Sequence, residues 1–149
     1  MEYQRTALSS QPSQAILVKL TPGEEILGSL KTLARRLQIP SACLTGLGAV
    51  NDVTLALYDP AARSYVETRL IEDLEVATMT GNISWLEDDP VVHLHGVVSR
   101  ADCSTAAGHF MRVVVSVTLE VMLQVGSQRV ERKPDAAIGL NLLHLPERG

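Results

Sequence analysis

Seven aliphatic side chains fall on every second residue of one segment: Val113, Val115, Val117, Leu119, Val121, Leu123 and Val125. No other feature constrains the fold of this chain as much. A period of two puts all seven on one face of an extended strand. An apolar face of that length must be covered, so the segment belongs in a sheet with a second layer against it. The opposite parity carries Val114 and Met122 among Ser116, Thr118 and Glu120. A strand that is part apolar on both faces is central in a two-layer core or meets another subunit.

The covering layer is also readable. Ile26, Leu27, Leu30, Leu33, Ala34 and Leu37 recur at helical spacing and form one apolar stripe. Thr21-Pro22-Gly23-Glu24 precedes them with the pattern of a capping box: Thr21 as N-cap, proline at the first helical position and Glu24 at the third. Pro40 ends the pattern. Arg35 and Arg36 are expected on the solvated face.

Beyond Pro40 the period changes to two. Strands are expected at Ala15–Leu20, Cys43–Val50, around Val53, Leu55 and Leu57, then at Ser64–Ile71, Leu74–Thr80, Val91–Ser99, Phe110–Val125 and Ile138–Leu145. Gly46 and Gly48 suggest permissive backbone points or a bulge. Asp59-Pro60 reads as a turn, Gly81-Asn82 as a break and Glu87-Asp88-Asp89-Pro90 as an acidic turn. Arg100–Gly108 reads as a loop and Arg129–Asp135 as a polar connection. The expected class is α+β: a curved, mostly antiparallel sheet of seven to eight strands with one main N-terminal helix packed on it.

With 149 residues the chain has the length of one domain. A single domain over residues 15–145 is expected, after a polar segment 1–14 and before a tail 146–149. Aromatics are only 3%, so the core must be aliphatic. That valine-rich makeup favours a homo-oligomer built through the sheet. Hydrophobic residues at 46% and charged residues at 20% exclude intrinsic disorder. Residues 1–14 contain no apolar stretch of the export type. Cys43 and Cys103 lie 60 positions apart with no CxxC pair, and read as reduced thiols in a cytoplasmic protein. Cys43 is expected as a buried small hydrophobe.

Seventeen Asp and Glu stand against thirteen Lys and Arg, giving a net charge of -4. The basic residues are scattered, as at Arg35-Arg36 and at Arg129, Arg132 and Lys133. Direct nucleic-acid binding is disfavoured, because phosphate recognition asks for a basic stripe. No membrane partner is expected, since no apolar run is long enough to span a bilayer.

One constellation carries chemistry. His93-Leu94-His95 sits within an expected strand, so the two imidazoles share a face with Cα atoms roughly 6 to 7 Å apart. His109, after Gly108, would return beside them at the start of the next strand. Three imidazoles with a fourth open position suit Zn²⁺, although nickel, cobalt, iron or copper also accept imidazole. The same pattern equally describes a plain polar face or a pH-sensitive interface. It is not the cupin arrangement, because Gly96-Val97-Val98-Ser99 supplies no glutamate. Glu120 is the weak candidate for an imidazole partner or a base, and Asp102 reads as a turn residue. His144 reads as structural. Gly46-Leu47-Gly48 lacks the third glycine and following helix of a dinucleotide fingerprint.

Taken in order, Pro22 to Glu25, Gly46 to Val50, Tyr58-Asp59, Leu74 to Val76, Thr80 to Ile83, His93 to His95, Gly108-His109, Thr118 to Val121 and Gly139 to Leu143 form a pattern. It resembles the PPC domain (plants and prokaryotes conserved domain) in its stand-alone prokaryotic form, over about Tyr3 to Leu145. Ala107 stands where the family usually has a further glycine. The resemblance implies a homotrimer, a metal held by His93, His95 and His109, and a role in self-association and partner binding. In plants the domain is joined to an AT-hook that contacts DNA, and this chain has no hook. Three roles follow as expectations. The first is an oligomeric metal-binding module of binding or regulatory type, with a small molecule or protein as partner. The second is a small zinc-dependent enzyme, and the third a DNA-associated regulator.

Overall fold

The chain assembles into nine strands, most of them with alternating apolar residues, in the computed structural model, which describes residues 1–7 and 14–145. The expected tail lies outside the described residues. The strands are β1 (Glu2–Ala7), β2 (Gln14–Leu20), β3 (Ser41–Asp59), β4 (Ser64–Leu70), β5 (Leu74–Leu86), β6 (Asp89–Ser99), β7 (Thr105–Gly126), β8 (Glu131–Asp135) and β9 (Leu140–His144). One helix, α1 (Ile26–Leu37), lies between β2 and β3. The α+β class holds. β1 rises from the segment read as polar, and β8 from the expected polar connection.

All ladders are antiparallel except the single bridge of β8 to β5 at Glu131 and Trp85. β3 pairs with β5, β5 with β6, β6 with β7 and β7 again with β3, so these four close a circuit. Long strands must bend to do this, and they bend at bulges. One bulge lies in β7 between the partners of Gly48 and Val50, namely Leu119 and Val115. Val117 falls inside it and is 66% exposed, although the parity of its neighbours predicts a core position. A second shift lies between Thr54 and Leu55, whose β7 partners are Arg112 and Phe110. It reverses the parity, so Phe110 is buried on the same side as Val113 and Val115.

Gly48 serves the first bend. Its φ is +150°, and a Cβ there would sit 2.3 Å from the Thr118 carbonyl oxygen. Gly81, expected at a break, lies instead in the middle of β5. A Cβ on it would come within 1.9 Å of the His93 carbonyl oxygen, so glycine is what lets β5 and β6 approach. The acidic turn shrinks to Glu87 and Asp88, because Asp89 and Pro90 already belong to β6.

The helix begins later than its capping pattern predicts. Thr21 and Glu24 do pair, with the Thr21 N–H and hydroxyl donating to Glu24 Oε2 at 2.8 and 3.0 Å, but within a turn that precedes the helix. Glu25 is the N-cap: its carboxylate accepts from the Leu27 and Gly28 N–H groups at 3.1 and 2.7 Å. Gln38 closes the helix in the left-handed region, φ 53°. Ile26, Leu30, Leu33 and Ala34 bury the apolar stripe, while Arg35 and Arg36 stay exposed. Cys43 is exposed rather than buried, because Ala42 and Leu44 take the inward parity of β3. Both thiols are free. No helix among the described residues is long and apolar enough to cross a membrane.

Candidate metal centre

His93 and His95 are two apart in β6 and share its outer face, while Val92, Leu94 and Val98 point into the core. β6 and β7 form a hairpin whose loop is Arg100–Ser104, shorter than the expected Arg100–Gly108. The added strand residues set the register that places His109 directly opposite His95. Asp102 is the turn residue expected, its carboxylate accepting from the Ser104 N–H at 2.9 Å.

The three rings make a nearly equilateral triangle. Their centroids are 5.1 Å apart for His93–His95, 5.0 Å for His93–His109 and 5.2 Å for His95–His109. Each ring offers a nitrogen, and the three nitrogens lie within 4.8 Å of one another. Tetrahedral zinc with Zn–N near 2.0–2.1 Å wants nitrogens about 3.3 Å apart. Small ring rotations close that gap, so this donor set fits a divalent cation that accepts imidazole.

The trio lines a cavity of about 450 Å³ with Tyr58, Tyr65, Arg132 and the apolar side chains of Leu57, Val91, Leu140 and Leu142. Tyr65 stacks on His109 with centroids 5.3 Å apart, and Tyr58 meets Tyr65 edge-on at 5.2 Å. Tyr58 is anchored by donating to the Ile138 carbonyl at 2.5 Å. Arg132 arrives from β8. Its Nε donates to Ser84 Oγ at 2.7 Å, one terminal nitrogen to the Asn141 carbonyl at 2.9 Å and the other to Asn82 Oδ1 at 3.1 Å. Asn82 is the register partner of His93.

Glu120 is not at this site. It is exposed on β7 opposite Leu47 and Lys19, on the order of 30 Å along the strand from His109. It therefore drops out as imidazole partner or base. His144 is exposed on β9 and lies outside the trio. Arg132 and Tyr65 are the residues that sequence reasoning missed. No local signal marks Arg132, because only the β5–β8 bridge and the β8–β9 ladder bring it to the cavity.

Burial lowers the His93 pKa to about 4, helped by the nearby charges of His109, Arg132 and His95. His109 is lowered too, first by burial and then by His95 and Arg132. Both rings are therefore neutral at pH 7 and present free lone pairs, the form that ligates metal. In the unfolded chain His93 titrates near 6.5, in the folded metal-free protein near 4. The unfolded state thus takes up this proton first, and stability falls as the pH drops from about 6.5 towards 4. An NMR titration of the metal-free protein should place the His93 midpoint near pH 4; a midpoint near 6.5 would contradict the burial argument.

The sequence profile of the Plants and Prokaryotes Conserved (PCC) domain matches residues 7–127. Among solved structures, a candidate DNA-binding protein from Ralstonia eutropha JMP134 is 33% identical, with a TM-score of 0.87 over 97% of this chain and 96% of that one. A candidate DNA-binding protein from Bacteroides thetaiotaomicron is 27% identical, with a TM-score of 0.86 over 95% and 96%. A metal-containing protein from Archaeoglobus fulgidus shares the fold at 24% identity, TM-score 0.81, over 97% of each chain. No curated protein matches this chain in sequence.

Proposed function

This chain belongs to the Plants and Prokaryotes Conserved (PCC) domain family, and from that premise we propose that it is a self-associating, metal-binding protein of binding or regulatory type. The carrying observation is the triangle of His93, His95 and His109, with ring centroids about 5 Å apart beside a cavity. Zinc fits three imidazoles with a remaining position towards the cavity, where it would supply a Lewis acid when bound. The protein's own contribution is to hold neutral imidazoles in place, stack Tyr65 against one of them and shield them with aliphatic walls. No carboxylate lines the cavity among the described residues. A carboxylate general base is therefore missing, which favours binding over a small zinc-dependent enzyme.

Self-association is supported by apolar residues left on the outer sheet face, and the trimer is what the family membership implies. Leu57 and Val66 are register partners on β3 and β4, 75% and 61% exposed, and Leu47 and Val117 are exposed as well. Two relatives are named as candidate DNA-binding proteins. Against that role here, Arg35, Arg69, Arg100, Arg112 and Arg129 each pair with a carboxylate, which leaves little of a basic stripe. A cytoplasmic location fits two free thiols.

The test is elemental analysis of protein purified with zinc, cobalt and nickel present, followed by sedimentation. One cation per chain and a mass three times 16.1 kDa are expected. Protein that takes up no added zinc would refute the metal reading, and a monomer would refute the assembly. A gel shift with duplex DNA at low salt should show no complex.

A further inference from the structure

Arg132 is an unusual cation. It is half-buried, and no described carboxylate lies within ion-pair distance of it, whereas the arginines of the outer surface named above each have one. Its three hydrogen bonds go to neutral acceptors: a serine hydroxyl, a backbone carbonyl and an asparagine amide oxygen. A guanidinium has five N–H donors, so two remain. These three bonds clamp the group at the wall of the same cavity that the imidazoles line. A half-buried positive charge without a counter-ion is costly, and in a ligand cavity the missing anion is naturally the ligand's.

We propose that this cavity binds a small organic monocarboxylate, its anionic head between Arg132 and the cation at the three histidines, and its body against Tyr65 and the aliphatic walls. The proposal rests on the metal reading above and adds the class of ligand to it. The two remaining N–H donors, one on each terminal nitrogen, are enough in number for the two oxygens of a carboxylate. The Leu57, Val91, Leu140 and Leu142 side chains offer nothing to a second charged group but suit an alkyl or aryl body. The cavity volume of about 450 Å³ is in the range that holds a small metabolite.

Cobalt-loaded full-length protein provides the test, because its visible band reports changes at the cation. Butyrate, benzoate, benzamide and inorganic phosphate are titrated against it, with heats of binding measured in parallel. Benzoate and butyrate are expected to shift the band, and benzamide, the neutral isostere, to bind at least about tenfold more weakly. R132Q should weaken benzoate binding roughly ten- to a hundredfold, with R132K in between, each variant read against its own ligand-free cobalt band. The benzoate–benzamide comparison needs no variant, so it stands even if a substitution at Arg132 impairs folding. A wild-type protein with no cobalt band overturns the metal reading and this proposal with it. A normal band that no carboxylate shifts, or benzamide bound as well as benzoate, overturns this proposal alone. Phosphate bound as tightly as benzoate overturns the carboxylate class, and R132Q binding like wild type overturns the role of Arg132.

Discussion

His109→Ala is expected to reduce zinc content from one ion per chain to background and to weaken cobalt or zinc affinity by at least about a hundredfold. Loss of an outer-shell partner alone costs roughly 10- to 100-fold in metal affinity, and removal of a ligand costs more. On the proposed metal reading, His109 is the third ring that turns a pair into a site. His93 and His95 come as neighbours on one strand, and the third ring, 5.0 and 5.2 Å from the other two, completes the triangle proposed to hold the cation. The substitution should leave the fold intact, since the ring lies on the cavity side of β7 and the core is on the other. Elemental analysis and competition with a chromophoric chelator measure the effect. Zinc retained at one ion per chain would mean that the cation sits elsewhere.

Phe110→Ala, one residue further on, should do the reverse. Its side chain is fully buried, and the sheet is shaped around it. Gly96 faces it so closely that a Cβ there would lie 2.3 Å from the ring. Leu55 is its partner across β3. Truncation leaves a cavity that strands tied into a closed circuit cannot readily collapse, with an expected loss of about 3–5 kcal/mol. Urea unfolding at fixed protomer concentration measures it. A loss below about 1 kcal/mol would show that the region repacks freely. Adjacent positions 109 and 110 thus separate ligation from stability, because successive residues of a strand face opposite sides.

The same neighbours mark how far the sequence could be read. Helix α1 was legible from its stripe at Ile26, Leu30, Leu33 and Ala34, because helical periodicity is a property of the local chain. The shared face of His93 and His95 was legible for the same reason: a spacing of two fixes parity within one strand. The parity of His109 relative to the valines was not. From Val113 to Leu123 the odd positions face the core, Val117 in its bulge excepted, and by simple alternation His109 would join them. The shift between Arg112 and Phe110 turns it to the cavity side instead. A bulge is decided by how β7 pairs with β3, and no local pattern records it.

Glu120 and Arg132 show the limit from both sides. Glu120, the sequence's candidate for an imidazole partner or base, shares β7 with His109, yet strand rise carries it far away. Arg132 lay unmarked in a polar stretch, since β8 has no apolar alternation and is held by backbone pairing to β5 and β9. The chain itself therefore determined the class of fold, the aliphatic core and two imidazoles on one face of a strand. Pairing between distant strands decided which third imidazole meets them and which cation waits beside them. Periodicity costs nothing beyond neighbouring residues, whereas register and bulges are settled only when separate segments compete for the same hydrogen bonds and the same core.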